Sequence, residues 1–231
     1  GNTGSVTNLK NLVNNSGVVA ADVTGVGTAR ERLAAASYGT GLAIFAHGTT
    51  GSATAISNLV NTSGVIASDV SGVGTARFGL AASSFGGDKA IFGYGRPGSG
   101  NSSLTNLVSN VGVLSSDVTG VGTARRDIAA ASYGGDKGVF GYGISGSSSN
   151  VTNKVSNVGV VASDTSGVGT ARYYLAATGY GGDKAIFGFG STGSVTGITN
   201  LVNNSGSVAA DVSAVGTARE KPAAAGYSTS A

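Results

Sequence analysis

The sequence predicts an all-β fold assembled from repeats, and three observations carry that prediction. The string Gly-Thr-Ala-Arg occurs five times, ending at Arg30, Arg77, Arg125, Arg172 and Arg219, so the period is 47 or 48 residues. Within each period, short segments rich in Val, Ile, Phe, Tyr and Thr recur roughly every 10 to 12 residues between turn-forming residues, the spacing of strands in all-β domains. No stretch keeps a 3.6-residue apolar period for the dozen residues that a helix needs.

The order of elements inside one period follows from its local chemistry. An Ala-rich segment comes after each Arg and ends in an aromatic: Tyr38, Phe85, Tyr133, Tyr180 or Tyr227. Three repeats then read Gly-Gly-Asp-Lys, at 86–89, 134–137 and 181–184. Gly and Asp tolerate positive φ, so this string predicts a tight hairpin with a solvated tip. The first repeat replaces it with Thr40-Gly41-Leu42. A second apolar segment of the type Ala90-Ile91-Phe92-Gly93-Tyr94 follows. A Ser/Gly/Thr-rich connector leads to a third segment, anchored by Asn11, Asn58, Asn106, Asn153 or Asn200. The fourth segment ends in an Asp eight residues before the next Arg: Asp22, Asp69, Asp117, Asp164 and Asp211.

Four strands per unit, repeated five times, predict a five-blade β-propeller with about four antiparallel strands in each blade. The whole chain, 1–231, is then one domain. Its repeats are 30–76, 77–124, 125–171, 172–218, and 219–231 joined with 1–29. Pairing of the two terminal segments closes the ring and ties down an exposed edge. The joined unit has no equivalent of Ala185–Phe189, which leaves three readings: a monomeric ring whose fifth blade lacks the second strand, closure by exchange with another chain, or a segment of a longer repeat array; the first is the expectation here.

Composition fits a packed scaffold. Of 231 residues, 41 are Gly and 40% are hydrophobic, while Cys, Met and Trp are absent. Gly and Ala let neighbouring sheets approach closely. The net charge is +3, with charged residues only 11% of the chain, and no Lys/Arg run exists. Nucleic-acid binding is therefore not expected. Without Cys there is neither a disulfide nor a thiolate metal site. No apolar stretch approaches membrane-spanning length, so membrane insertion is not expected.

Candidate chemistry is sparse. The five Arg residues sit at fixed spacing from the five Asp residues, which predicts structural Asp–Arg pairs or Arg-to-carbonyl bonds across blade junctions. The residues at the end of the second strand, Tyr94, Tyr142 and Phe189, with His47 in the same place, are candidate stacking platforms for sugar rings. His47 is the only His. No constellation of acids, bases and nucleophiles breaks the repeat in the way an active site does, so no catalytic residue, cofactor or metal is expected.

The stretch Arg172-Tyr-Tyr-Leu-Ala-Ala-Thr-Gly-Tyr-Gly-Gly-Asp-Lys-Ala-Ile-Phe-Gly-Phe-Gly190 resembles a kelch repeat, and the resemblance extends over every repeat. It departs from that family in reading Gly-aromatic-Gly, as in Gly93-Tyr94-Gly95, where kelch repeats carry a double Gly, and in lacking Trp. The strings Gly-Val-Gly-Thr-Ala-Arg and Ala-Ile-Phe-Gly-Tyr-Gly also resemble repeat proteins encoded by marine bacteriophages. That resemblance implies a virion or tail-associated protein, located in the virion or outside the cell. The functional expectation is a non-enzymatic structural or adhesive module whose partners are other virion proteins or a cell-surface glycan. The alternative is a multivalent, lectin-like propeller with equivalent sugar sites between blades.

Overall fold

A computed structural model of the chain describes residues 1–14 and 16–226. It is all-β, and no helix occurs among the described residues. Among the described residues twelve strands form four separate three-stranded antiparallel sheets, which do not close into a barrel. The first contains β1 (Ala34–Tyr38), β2 (Leu42–Ala46) and β3 (Ser57–Val60), and the second β4 (Ala81–Phe85), β5 (Lys89–Gly93) and β6 (Thr105–Val108). The third contains β7 (Ala129–Tyr133), β8 (Lys137–Gly141) and β9 (Thr152–Val155), and the fourth β10 (Ala176–Tyr180), β11 (Lys184–Gly188) and β12 (Thr199–Val202). In each sheet the middle strand is the second, so all three run up and down in chain order.

Local sequence explains the hairpins. Phe85 pairs with Lys89, leaving Gly86, Gly87 and Asp88 as the loop, with φ of 61° and 81° at the two glycines. Residues with a Cβ rarely adopt two such angles in succession. The Asp and Lys at each tip pair with each other, at 2.6 Å for Asp88–Lys89, and remain largely solvated. The tips also interlock: Gly39 N–H donates to Asp88 O, Gly86 to Asp136 O and Gly134 to Asp183 O, each at 2.7 Å.

The expected five blades of four strands are not what the chain forms. The fourth segment of each unit joins the third only through two isolated bridges, such as Ser57↔Val70 and Val60↔Ile66. Two residues lie between the bridge positions on β3 and three between those on the opposing segment, so one residue is extra. This bulge interrupts the ladder, and a continuous fourth strand does not form. The same offset recurs in the other units, including Lys10↔Val23 and Val13↔Val19 in residues 1–29.

Among the described residues the fifth unit forms no sheet. Its second strand, on which the first and third would hydrogen-bond, has no counterpart in the sequence. Among the described residues no backbone hydrogen bond joins residues 1–29 to 219–226. Tyr227 lies outside the described residues.

The sheets stack in chain order, with β1 beside β4, β4 beside β7 and β7 beside β10. One apolar cluster fills each junction. Tyr38, Ile44 and Ala46 meet Leu80, Phe92 and Val108 at the first. Phe85, Ile91 and Tyr94 meet Ile128, Phe140 and Val155 at the second, and Tyr133, Val139 and Tyr142 meet Leu175, Phe187 and Val202 at the third. Close approach needs the small residue at the end of the middle strand. A Cβ on Gly93 would lie 2.8 Å from the Phe140 ring of the next sheet.

Candidate functional site

Eight of the ten repeated Arg and Asp residues build one device, used four times. Arg77 is fully buried. Its guanidinium donates to the Thr75 carbonyl at 3.2 Å, to Asp117 at 3.2 Å and to Asn106 Oδ1 at 2.5 Å. Asn106 in turn donates to Asp117 at 3.0 Å and to the Ser115 carbonyl at 3.1 Å. The second Asp117 oxygen accepts the Thr75 hydroxyl at 2.7 Å and the Thr75 amide at 2.9 Å. Residues 106 and 117 thus grip the segment 75–77, which enters from the preceding unit.

Asp69 and Asn58 grip Thr28 and Arg30 in the same way, and Asp164 and Asn153 grip Thr123 and Arg125. Asp211 holds Thr170 through hydroxyl and amide, with Arg172 beside it. At Asp117 burial works to raise the carboxyl pKa. Hydrogen bonds from Thr75 and Asn106, with the Arg77 charge, outweigh burial and hold it below the usual carboxylate range.

The fifth grip is unmade. Asn11 donates to Asp22 at 2.8 Å and to the Ala20 carbonyl at 2.9 Å, as its equivalents do, but neither side chain holds an Arg. Arg219 donates to the Thr217 carbonyl at 3.1 Å and lies over the Phe189 ring at 3.7 Å. Both halves are preshaped and both are exposed.

The aromatic candidates face inward. Tyr94, Tyr142 and His47 are fully buried, and Phe189 is half-buried under Arg219. Tyr94 packs edge-on against Phe140 at 5.1 Å and beneath Arg125, and its hydroxyl donates to the Val121 carbonyl at 3.2 Å. Tyr142 repeats this with Phe187, Arg172 and the Val168 carbonyl. No ring face at Tyr94, Tyr142 or His47 is open to a sugar, which corrects the expectation of surface platforms at these positions. Burial pushes the Tyr94 hydroxyl up to about 12. Burial, with the nearby Arg77 charge, lowers His47 to about 3, so the imidazole is neutral. Neither of its ring nitrogens has a hydrogen-bond partner.

One feature of the sequence escaped the repeat-based reading. The second residue after each repeated Arg differs in every unit: Arg32, Gly79, Asp127, Tyr174 and Lys221. All five line one cavity of about 670 Å³, together with Asn2 and Glu31. A run of backbone bonds links them, from Gly79 N–H to Arg32 O, Asp127 to Gly79, Tyr174 to Asp127 and Lys221 to Tyr174. The four non-Gly members all have φ of 54°, in the left-handed region. Such strain persists only where the surroundings enforce it, and it collects at functional sites.

Across the cavity Arg32 meets Asp127 at 2.6 Å, and Arg126 Nε stands 3.2 Å from the other Asp127 oxygen. The Lys221 ammonium lies 4.4 Å from the centre of the Tyr174 ring, and Asn2 donates to Glu31 at 2.7 Å. The cavity wall thus offers cations, carboxylates and aromatic faces together. Its signal in the sequence is that the two positions after each unchanging Arg vary: Glu31-Arg32, Phe78-Gly79, Arg126-Asp127, Tyr173-Tyr174 and Glu220-Lys221. Among the described residues no group of three or more His, Asp or Glu converges in a way that would hold a metal ion.

No protein-family model matches the chain, and no curated protein matches it.

Proposed function

We propose that this chain is a non-enzymatic structural or adhesive module that works by display, a five-unit propeller-like ring holding variable residues around a central cavity. The observation that supports this is the division of labour in the repeat. The constant polar residues, Arg77, Asn106, Asp117 and Thr75 and their equivalents, spend their hydrogen bonds inside the scaffold. The variable ones, Arg32, Gly79, Asp127, Tyr174 and Lys221, converge on a single opening. A rigid ring with variable residues at one mouth is a recognition surface. Other virion proteins or a cell-surface glycan are the partners that accompany this reading.

The test is binding of the purified protein to a glycan panel and to bacterial surfaces, with and without Ala at Arg32, Tyr174 and Lys221. Loss of binding in a folded variant supports the reading. Turnover of a carbohydrate or peptide substrate overturns it. The lectin alternative needs several equivalent open sites, and the burial of Tyr94, Tyr142 and His47 weighs against it.

Ring closure is part of the proposal. Asn11 and Asp22 are shaped to take Thr217 and Arg219 as the other four grips take theirs. Asp22→Ala destabilises a closed ring by roughly as much as Asp117→Ala, about 3 kcal/mol. A change below about 0.5 kcal/mol at Asp22 argues for an open one.

A further inference from the structure

The cavity ringed by the five variable residues has a second tier. Leu33, Leu80, Ile128 and Leu175 follow four of those residues in the chain, and all four line the same space. Each directly precedes the first strand of its sheet, at β1, β4, β7 and β10. Leu80, Ile128 and Leu175 belong to the junction clusters, so this tier is fixed by the core. They are buried, whereas the Arg32 and Lys221 side chains are 34% and 61% exposed. The cavity is thus charged at its mouth and apolar beneath.

Three cations, Arg32, Arg126 and Lys221, balance three acids, Glu31, Asp127 and Glu220, around this mouth. They differ in what they have left to offer. The Asp127 side chain, 2% exposed, is held between two guanidiniums, with Arg32 Nη2 at 2.6 Å and Arg126 Nε at 3.2 Å. Glu31 accepts the Asn2 amide at 2.7 Å. Glu220 stands 3.3 Å from the Lys221 ammonium and lies outside the cavity wall. The cations keep spare donors. Arg32 sits over the Phe78 ring at 4.6 Å, and among the described residues its side chain donates only through Nη2, which leaves Nε and Nη1. Lys221 sits over the Tyr174 ring at 4.4 Å. An aromatic face therefore holds each cation in place before any ligand arrives.

We propose that this cavity binds a monocarboxylate with an apolar body. The proposal rests on the reading of the cavity as the recognition mouth and names what that mouth takes. The carboxylate accepts from Arg32 and Lys221, and the aliphatic body lies on Leu33, Leu80, Ile128 and Leu175. The volume of about 670 Å³ falls within the range of small-ligand sites. One negative charge suits the site, because the three acids oppose a second. An ammonium meets two cations while Asp127 is shut away from it. A neutral alcohol leaves the spare donors without a charged acceptor. Two sources carry the selected chemistry, a free aliphatic acid and the C-terminal residue of another protein chain.

The test titrates the 231-residue chain, labelled at its Leu and Ile methyl groups, with hexanoate, acetate, hexanol, hexylamine and N-acetyl-Gly-Leu. Saturable shifts at Leu33, Leu80, Ile128 and Leu175 with hexanoate support the proposal. Its binding is expected to be about tenfold tighter than that of acetate and roughly fivefold tighter than that of hexanol or hexylamine. Lys221→Met weakens hexanoate about fivefold and leaves hexanol unchanged. Arg32→Met does the same; if it fails to fold for want of the Asp127 pair, Lys221→Met decides. Tighter binding of the acetylated dipeptide identifies a protein C-terminus as the source, and tighter binding of hexanoate a free acid. Absence of shifts with either acid, equal affinity for hexanol, or shifts confined to other methyl groups overturns the proposal. The display reading is judged apart. Binding to bacterial surfaces that Lys221→Met abolishes, without hexanoate shifts, removes the ligand class alone. Turnover of a carbohydrate or peptide substrate removes the display reading whatever hexanoate does.

Discussion

Asp117 and Arg77, 40 residues apart in the chain, meet at 3.2 Å, with the Arg77 side chain fully buried and Asp117 26% exposed. The nearer Asp69, eight residues before Arg77, instead serves Arg30 at 3.8 Å and Thr28 at 2.6 Å. Four of the five Asp residues, Asp69, Asp117, Asp164 and Asp211, thus close the unit that the previous turn of chain opened, and the sheets are stitched in sequence.

Removing one partner of that pair is expected to be severe. Asp117→Ala leaves a buried guanidinium without its counter-charge and frees the Thr75 hydroxyl and amide. A loss of about 3 kcal/mol is expected, at the lower end for such pairs because Asp117 keeps some contact with solvent. Urea unfolding measures it. The double variant Asp117→Ala with Arg77→Met should lose less than the sum of the single changes. Strict additivity rules out the coupling.

The Gly before each repeated Thr offers a paired comparison. Gly74 and Gly216 share positive φ, at 77° and 88°. A Cβ at Gly74 meets Asp117 Oδ1 at 2.5 Å and Asn106 Nδ2 at 2.6 Å, whereas at Gly216 nothing lies within 4 Å. Gly216→Ala should cost only the left-handed backbone term, roughly 1 to 2 kcal/mol. Gly74→Ala adds a clash with the grip, and a total of about 3 kcal/mol or more is expected. This contrast holds while the fifth grip is open; equal losses in thermal unfolding are the outcome expected of the closed ring proposed above.

His47 makes the fold sensitive to acid. Its folded pKa is lowered to about 3, chiefly by burial, from an ordinary 6.5. The unfolded chain therefore binds the proton first. Stability from this group is complete above pH 6.5 and falls as pH drops towards 3, by about 1.4 kcal/mol per pH unit. Below pH 4 the gripping carboxylates, whose pKa values are also depressed, add to the loss as they protonate. His47→Tyr installs the residue found at 94 and 142, at a position whose φ of 63° already matches their 66° and 65°. The slope between pH 4.5 and 6.5 should vanish in that variant. An unchanged slope assigns the acid sensitivity elsewhere.

The buried tyrosines separate polar from packing contributions. Tyr142→Phe removes one hydrogen bond, to the Val168 carbonyl, and should cost about 1 kcal/mol. Tyr142→Ala also empties the space between Phe187 and Arg172, and about 4 kcal/mol is expected. Calorimetric unfolding of both variants tests this. Near-equal losses would show that the ring contributes little beyond its hydroxyl.

Much of the local structure was legible in the residues. Gly-Gly-Asp-Lys marks the hairpins because two successive left-handed angles admit little else. The recurrence of Arg and Asp marks them as scaffold. The partners of those residues were not legible, because a spacing of eight suggests a neighbour while the bond forms with the next unit's Asp. The fate of Tyr94 and Tyr142 was equally hidden. A Tyr at a strand end reads the same whether its ring faces solvent or the Phe of the following sheet. The variable residues at 32, 79, 127, 174 and 221 could have been noticed, but only a three-dimensional arrangement gives them a common cavity.

The sequence by itself determined the all-β class, the period of 47 or 48 residues and the positions of the turns. Those follow from φ preferences and apolar spacing within a few residues of chain. Tertiary structure decided the rest. One extra residue bulges the fourth segment away from a continuous ladder and leaves sheets of three strands. Stacking of one sheet on the next chooses which Asp meets which Arg and turns the aromatic rings inward. These outcomes depend on contacts between segments 40 or more residues apart, where the energy lies in burial and hydrogen-bond satisfaction and not in the local preferences of any one residue.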